Sequence, residues 1–424
     1  MAAPRYKWYV VGMLWWICFF NYADRQAIFS VFPLLEKEFG LTLEQLGWLG
    51  SSFGLVYGLC APFAGRVVDR VRRKSAILGG LHAWSAICMA TALSRGFGQL
   101  LLFRAVEGLG ETFYFPASMS LVSDYHGKAT LSRALGLHQT SVYIGTIAGG
   151  YFAGLVGQRY GWRWSFVVFG GLGILLGLVL RRYLIEPVRG ASDLLRDGSL
   201  VGASGSVAKT EPRPAGSGAR SWLTPTLVIL VAAFLCANFV AVVVLTWMPK
   251  FLYDQFHLSL AAAGLTATVF IQLASMVGAP AGGWLADRLR ARRPGGRMMV
   301  QAAGLLCGAP FVVLCGLTQS IARLIVALTA WGFFKGLYDA NIFAAMFDVV
   351  PPESRGTATG LMNMVGWLGG GGAAPVVIGY IAERHGLGLA ISLASAVYVA
   401  GAALLVAGIL LFIRRDVARM EPAR

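Results

Sequence analysis

Hydrophobic residues in this chain form long runs separated by short charged clusters, with little of the regular polar face that a soluble helix or strand shows. A helix crossing a bilayer needs about 20 largely apolar residues. Twelve runs qualify: 8–35, 42–66, 76–95, 98–123, 132–157 and 163–184, then 223–251, 261–286, 298–317, 320–349, 355–382 and 389–413. Helices are required there because hydrocarbon offers no water to satisfy backbone polar groups. Residues 1–184 and 222–424 then form two six-helix halves. Between them, 185–221 is rich in Gly, Ser, Ala and Pro and reads as a flexible cytoplasmic linker. The pattern predicts an all-α membrane protein of two pseudo-symmetric bundles.

Composition sharpens this picture. Of 424 residues, 57% are hydrophobic and 13% charged, against about 25% charged in a soluble chain. Too few charges exist to coat two or three soluble domains. The net charge of +16 comes mostly from clusters between the runs, not from one folded face, which argues against nucleic acid. With both termini inside, 26 of the 36 Lys and Arg fall on the cytoplasmic side, seven outside and three within spans. That imbalance sets the orientation, with both termini cytoplasmic, and the plasma (inner) membrane is the expected location. Arg25 and Asp24 lie inside the first run, which is too long for a cleavable signal peptide and reads as the first span. The six cysteines lie in apolar runs without a CxxC pair and read as packing residues.

A repeat links the halves. Gly65-Arg-Val-Val-Asp69-Arg70 after the second run recurs as Gly283-Trp-Leu-Ala-Asp287-Arg288 after the eighth, and Ser132-Arg133 recurs as Ser354-Arg355. Parallel repeats are a transporter architecture with the substrate site between the halves near mid-membrane. Gly145-xxx-Gly149 and Gly150-xxx-Gly154 suit close helix contact in lipid.

The twelve-span plan with the doubled G-xxx-D-R loop resembles the major facilitator superfamily over essentially the whole chain. Arg73 and Lys74 match that family's first loop as well, whereas Arg72 replaces its usual second glycine. The resemblance implies that the loop Asp helps latch the halves on the cytoplasmic side. Within the family, Asn21-Tyr22-Ala-Asp24-Arg25 and Arg104-xx-Glu107-Gly-Leu-Gly-Glu111 resemble both spinster-like and organic-anion (sugar-acid) transporters. Glu186-Pro187-Val-Arg189-Gly190 and Ser123-Asp124-Tyr125 are similar to the spinster branch. Thr246-Trp247-Met-Pro249 and Gly360-Leu-Met-Asn363 are similar to the organic-anion branch.

Candidate chemistry sits in the in-span charges, since an ion at mid-bilayer costs at least about 2.5–3.5 kcal/mol and needs a partner or a wet cavity. Arg104, Glu107 and Glu111 share one helix face by spacing. An internal Arg104–Glu107 pair would leave Glu111 unpaired, which favours function for Glu111. Asp24 and Arg25 point about 100° apart, with Arg25 expected toward the cavity and Asp24 toward span four. Lys335 and Asp339 form an i,i+4 pair in span ten, a structural ion pair or the second half's contribution to the site. Tyr22, Asn363, Trp367, Tyr114, Tyr143 and Gln272 are candidate cavity residues, and His138 is expected at the membrane interface. By resemblance, Asp24 and Glu111 would couple protons, and Arg25 and Arg104 would meet the substrate, with Tyr22 and Asn363 beside them.

No GxxxxGK[ST], HExxH or GxSxG motif occurs, so an ATP-driven pump or a hydrolase is not indicated. No cofactor or metal is expected. The leading expectation is a monomeric, proton-coupled transporter of an organic anion, in contact with the lipid bilayer. The alternative is a spinster-like carrier of a lysophospholipid or sphingoid. A receptor or scaffold would have no need of four in-span charges.

Overall fold

The computed structural model describes residues 5–126, 130–187, 223–351 and 354–419, with the side chains of Asp69 and Ser132 outside the described set. The expected linker therefore lies outside the described residues from 188 onward. The described residues form twelve helical spans. Span one comprises Tyr6–Ser30 and Phe32–Phe39, span two Leu43–Arg70, span three Arg73–Thr91 and span four Phe97–Glu111 with Tyr114–Tyr125. Leu131–Tyr160 and Trp162–Tyr183 are spans five and six. The second half runs through Pro225–Phe256, Leu260–Arg290 and Gly296–Leu317 as spans seven to nine. Span ten is Ile321–Asp339 with Ile342–Phe347. Span eleven is Arg355–Gly366, a π-helical turn Trp367–Ala373, and Ala374–His385. Span twelve is Leu387–Leu393 with Ser395–Leu411.

Among the described residues, eight helices are long and apolar enough to cross a membrane by length and composition alone. Spans one, three, four and five are the others, and three of these four carry the polar side chains described below. Span four breaks after Glu111 and span ten after Asp339, at matching places in the two halves. Each break has its own patch. The Thr112 hydroxyl donates to the Gly108 carbonyl at 2.6 Å, and the Asn341 amide donates to the Gly282 and Leu337 carbonyls. The bonds to Gly108 and Leu337 satisfy carbonyls that lose their helical partners at the breaks, and the bond to Gly282 ties span ten to span eight.

Span starts follow local sequence. Thr42 caps span two reciprocally with Gln45, and Thr224 and Ser259 accept from the backbone at the starts of spans seven and eight. Turns on the face opposite the termini need left-handed backbone at Gly40, and His257 takes the same conformation at the matching turn of the second half.

Glycines decide how closely the spans approach. A Cβ on Gly145 or Gly149 would lie 2.5 or 2.3 Å from the Phe19 or Ala23 carbonyl oxygen of span one. On Gly150 or Gly154 it would strike the Gly264 or Leu260 carbonyl oxygen of span eight, at 2.6 and 2.4 Å. One register of span five thus builds its own half and the next joins the two halves. Spans two and eleven meet the same way, with Gly54 against the Gly371 backbone and Gly47 against Pro375. Gln26 donates to the Leu245 carbonyl, Lys250 pairs with Glu36, and the Ser51 hydroxyl accepts from the Val376 N–H. All these joints lie toward the face opposite the termini, which is the sealed end of the molecule.

Candidate functional site

A cavity of about 570 Å³ lies between the halves, from the sealed joints toward the face that carries both termini. Tyr22, Arg25, Phe53, Arg104 and Tyr143 line it from the first half, and Gln272, Lys335, Asp339, Asn363 and Trp367 from the second. Phe234, Val242, Leu245 and Phe343 give the second-half wall a large apolar area. Tyr22, Asn363, Trp367, Tyr143 and Gln272 therefore stand where cavity residues were expected.

Arg25 is the cation of the cavity that the aromatic side chains surround. Its Nε donates to the Glu111 carboxylate across spans one and four. Its guanidinium carbon lies 4.8 Å from the ring centres of Tyr22 and Tyr57, 4.9 Å from Phe53 and 5.3 Å from Trp367. Three of those rings belong to the first half and Trp367 to the π-helical turn of the second. Cation–π attraction at such distances is worth about 2 kcal/mol when desolvated. Arg25 thus holds a carboxylate behind it and an aromatic box around it, while its remaining N–H groups face the cavity wall. Its Nη1 has no hydrogen-bond partner among the described residues.

The pairing of Glu111 corrects one expectation. Spacing along span four left Glu111 without a cation, but the partner comes from another helix. Arg104 and Glu107 do form the internal pair, at 2.5 Å and almost fully buried. Arg104 also packs over Phe53, 4.9 Å from the ring centre. Asp24 turns away from the cavity into the bundle, where Glu107, Glu111 and Arg104 are its charged neighbours. Neither of its carboxyl oxygens has a hydrogen-bond partner among the described residues. Trp84 stands beside it, and its indole N–H is likewise unpartnered. Three carboxyls and two guanidiniums therefore share one dry cluster.

The second half offers a smaller set. Lys335 and Asp339 pair along span ten, with Tyr143 facing them from span five. Asn238 donates to the Gly366 carbonyl at 2.6 Å, steadying the entry to the π-helical turn that carries Trp367.

Several expected residues stand elsewhere. Tyr114 is buried behind the cavity, donating to the Leu14 carbonyl, and contacts His138 at 2.9 Å. His138 is itself 1% exposed, so it is an interior hydrogen-bonding residue and not an interfacial one. Asn341 patches the break in span ten, and Tyr338 reaches the cavity edge. Sequence reasoning missed Phe53, Tyr57 and Asn238. Phe53 and Tyr57 are one helical turn apart on the flank of the Gly47, Gly50, Gly54, Gly58 stripe, which was the available signal.

The repeated loops sit at the terminal face. Arg73 pairs with Asp124 and Glu186, and Arg297 pairs with Asp348 and Asp287. Both Arg–Asp pairs are 224 residues apart, a repeat the loop motif alone did not disclose. Among the described residues, Asp287 pairs with Arg297 of its own half. Gly65 and Arg70 lie in the helical end of span two and Gly283 and Arg288 in that of span eight, so the segments expected as loops are helical here, and the Asp69 side chain is outside the described set.

Comparison with known proteins follows the same lines. A family model described as Major Facilitator Superfamily matches residues 14–374 and 295–424. The D-galactonate transporter of Escherichia coli O6:H1 is 27% identical over 394 residues, covering 90% of this chain and 90% of that protein. Protein spinster of Drosophila melanogaster is also 27% identical, over 90% of this chain and 63% of that protein. A crystal structure of a bacterial homolog to human lysosomal transporter Spinster, inward-facing and occupied, superposes with a TM-score of 0.79. It covers 100% of both chains at 22% sequence identity.

Proposed function

Because this chain belongs to the major facilitator superfamily and is a membrane transporter, we propose that it moves an organic anion by alternating access, coupled to protons. The supporting observation is the buried cluster in which Arg25 and Arg104 border the cavity while Asp24, Glu107 and Glu111 stand behind them. Three carboxylates against two guanidiniums leave one negative charge in excess, and a dry site accommodates that excess by holding a proton.

The exchange follows from geometry. A substrate carboxylate entering the cavity meets the unpartnered Nη1 edge of Arg25 and draws the guanidinium away from Glu111, which is held only through Nε. The displaced Glu111, left without its cation in a dry wall, takes a proton. Asp24 serves as the second proton site of the same cluster, so the pair titrates together. Both termini and the basic loops face the cytoplasm in this reading, supported by 26 of 36 Lys and Arg on that side. The present state then opens inward. Tyr22 and Asn363 complete the substrate contacts, and the Asp69 and Asp287 loops form the inner gate once the halves rock together. The region 185–221 acts as the cytoplasmic linker between halves 1–184 and 222–424.

A second reading has support in the apolar second-half wall of Phe234, Val242, Leu245 and Phe343. A lysophospholipid or sphingoid would place its head group at the guanidiniums and its chain along that wall. Purified protein in proteoliposomes, with a pH dye inside, separates the two. Uptake of galactonate with proton movement supports the first reading. Movement of lysophosphatidylcholine without response to galactonate supports the second. Transport of neither class, with folded protein, contradicts both.

A further inference from the structure

A recess of about 770 Å³ opens at the terminal face on the outer perimeter of the first half, between spans three and six. It is remote from the central cavity and shares no lining residue with it. Arg72, Lys74 and Arg181 supply its polar rim. Neither Arg72 nor Arg181 forms an ion pair among the described residues, and Lys74 spends one of its three N–H donors on the Arg181 carbonyl, at 2.8 Å. Glu186, a carboxylate in the lining, is engaged by the Arg73 backbone N–H at 2.8 Å and by its side chain, and Arg72, Lys74 and Arg181 outnumber it, so the rim is net positive.

The floor has a different character. Gly79 would meet nothing within 4 Å if it carried a Cβ, and Leu78 and Ile185 flank it. Away from the rim, span six carries exposed Leu178 one turn from Arg181, with Leu175 and Leu172 exposed farther along, each turned about 60° round the helix from the last. A cationic rim thus adjoins the apolar outer surface of span six.

We infer that this recess is a seat for a phosphate-bearing glycerolipid. The phosphate meets Arg72, Lys74 and Arg181 at the surface, and an acyl chain leaves over Leu78, Gly79 and Ile185 toward Leu178. Basic pockets between spans favour anionic head groups. Arginine pairs with phosphate oxygens in a bidentate fork. The inference is independent of the transported substrate and of which membrane face carries the termini.

Native mass spectrometry of detergent-purified protein with palmitoyl-oleoyl phosphatidylglycerol or phosphatidylcholine tests it. Wild type should retain one phosphatidylglycerol at collision energies that strip phosphatidylcholine. Arg72→Gln/Lys74→Gln/Arg181→Gln should lose that adduct, and Gly79→Phe, which fills the floor with the charges intact, should lose it too. Arg414→Gln/Arg415→Gln, exposed on the other half, should keep it. Retention in the triple variant or in Gly79→Phe, or equal loss in the Arg414/Arg415 control, overturns the assignment. So does displacement of the lipid by inorganic phosphate alone, which would place the affinity in the anion and not in the lipid.

Discussion

The two halves repeat one fold, yet their cavity walls differ in charge. In the first half, two guanidiniums and three carboxyls are buried together with one oxygen pair, that of Asp24, unpartnered. In the second half, the matching helix of the repeat, span ten, brings Lys335 and Asp339 to the cavity, a self-neutralising pair open to it. Both spans break directly after an acid, Glu111 or Asp339. The backbone device is therefore duplicated while the electrostatics are not. A duplicated scaffold can concentrate ion chemistry in one wall and leave the other to shape and apolar contact.

Removing the guanidiniums attacks that asymmetry most severely. Arg25→Lys and Arg104→Lys keep the charge but lose the planar fork, and each should weaken binding of the transported anion about 10–100-fold, since hydrogen bonds to charged groups contribute about 1.5–3 kcal/mol. Isothermal titration of purified protein checks this, and unchanged affinity in both would move the anion site elsewhere. The glycine joints come next. Gly150→Leu should leave the first half folded but push spans five and eight apart, abolishing transport with thermal stability lowered only moderately. Gly149→Leu instead collides with Ala23 inside the half and should abolish folding. Equal outcomes for the two variants, by thermal unfolding and uptake, would erase the distinction between the registers of span five.

Span ten should matter less. Lys335→Ala is expected to cost under about tenfold in affinity, because i,i+4 pairs with partial exposure contribute only tenths of a kcal/mol. A loss as large as that of Arg104→Lys would make the walls equivalent. The smallest effect concerns His126 at the terminal face, which bonds the Lys7 carbonyl and Thr130 and has its pKa lowered by burial. A histidine whose folded pKa lies below the usual 6.5 contributes stability at pH above that value and loses it as pH falls. The melting midpoint should drop modestly below about pH 6.5, and His126→Asn should flatten that part of the profile.

Much of this was legible in the chain. Run length and charge spacing disclosed twelve spans and their pairing into halves, because lipid permits so few alternatives. The face shared by Arg104, Glu107 and Glu111 followed from helical period alone. Contacts between helices did not. That Arg25 reaches Glu111 depends on how spans one and four meet, and Gly149 against Ala23 sets the neighbouring approach of span five. The aromatic box needs Trp367 from the other half, delivered by a π-helical turn within a glycine run whose geometry has no one-residue signature. His138 looked interfacial by its place near a span end, but the bend of span four brings Tyr114 over it.

The central claim is that the charged cluster of the first half carries the proton. Glu111→Gln/Asp24→Asn keeps shape and hydrogen-bonding capacity while removing both titrations. In proteoliposomes with an imposed pH difference, wild type should accumulate the anion above equilibrium. The double variant should exchange it across the membrane at equal concentrations without accumulating it, because protonation no longer biases the two conformations. Accumulation driven by pH in the double variant would contradict the account and transfer the proton to Glu107 or Asp339.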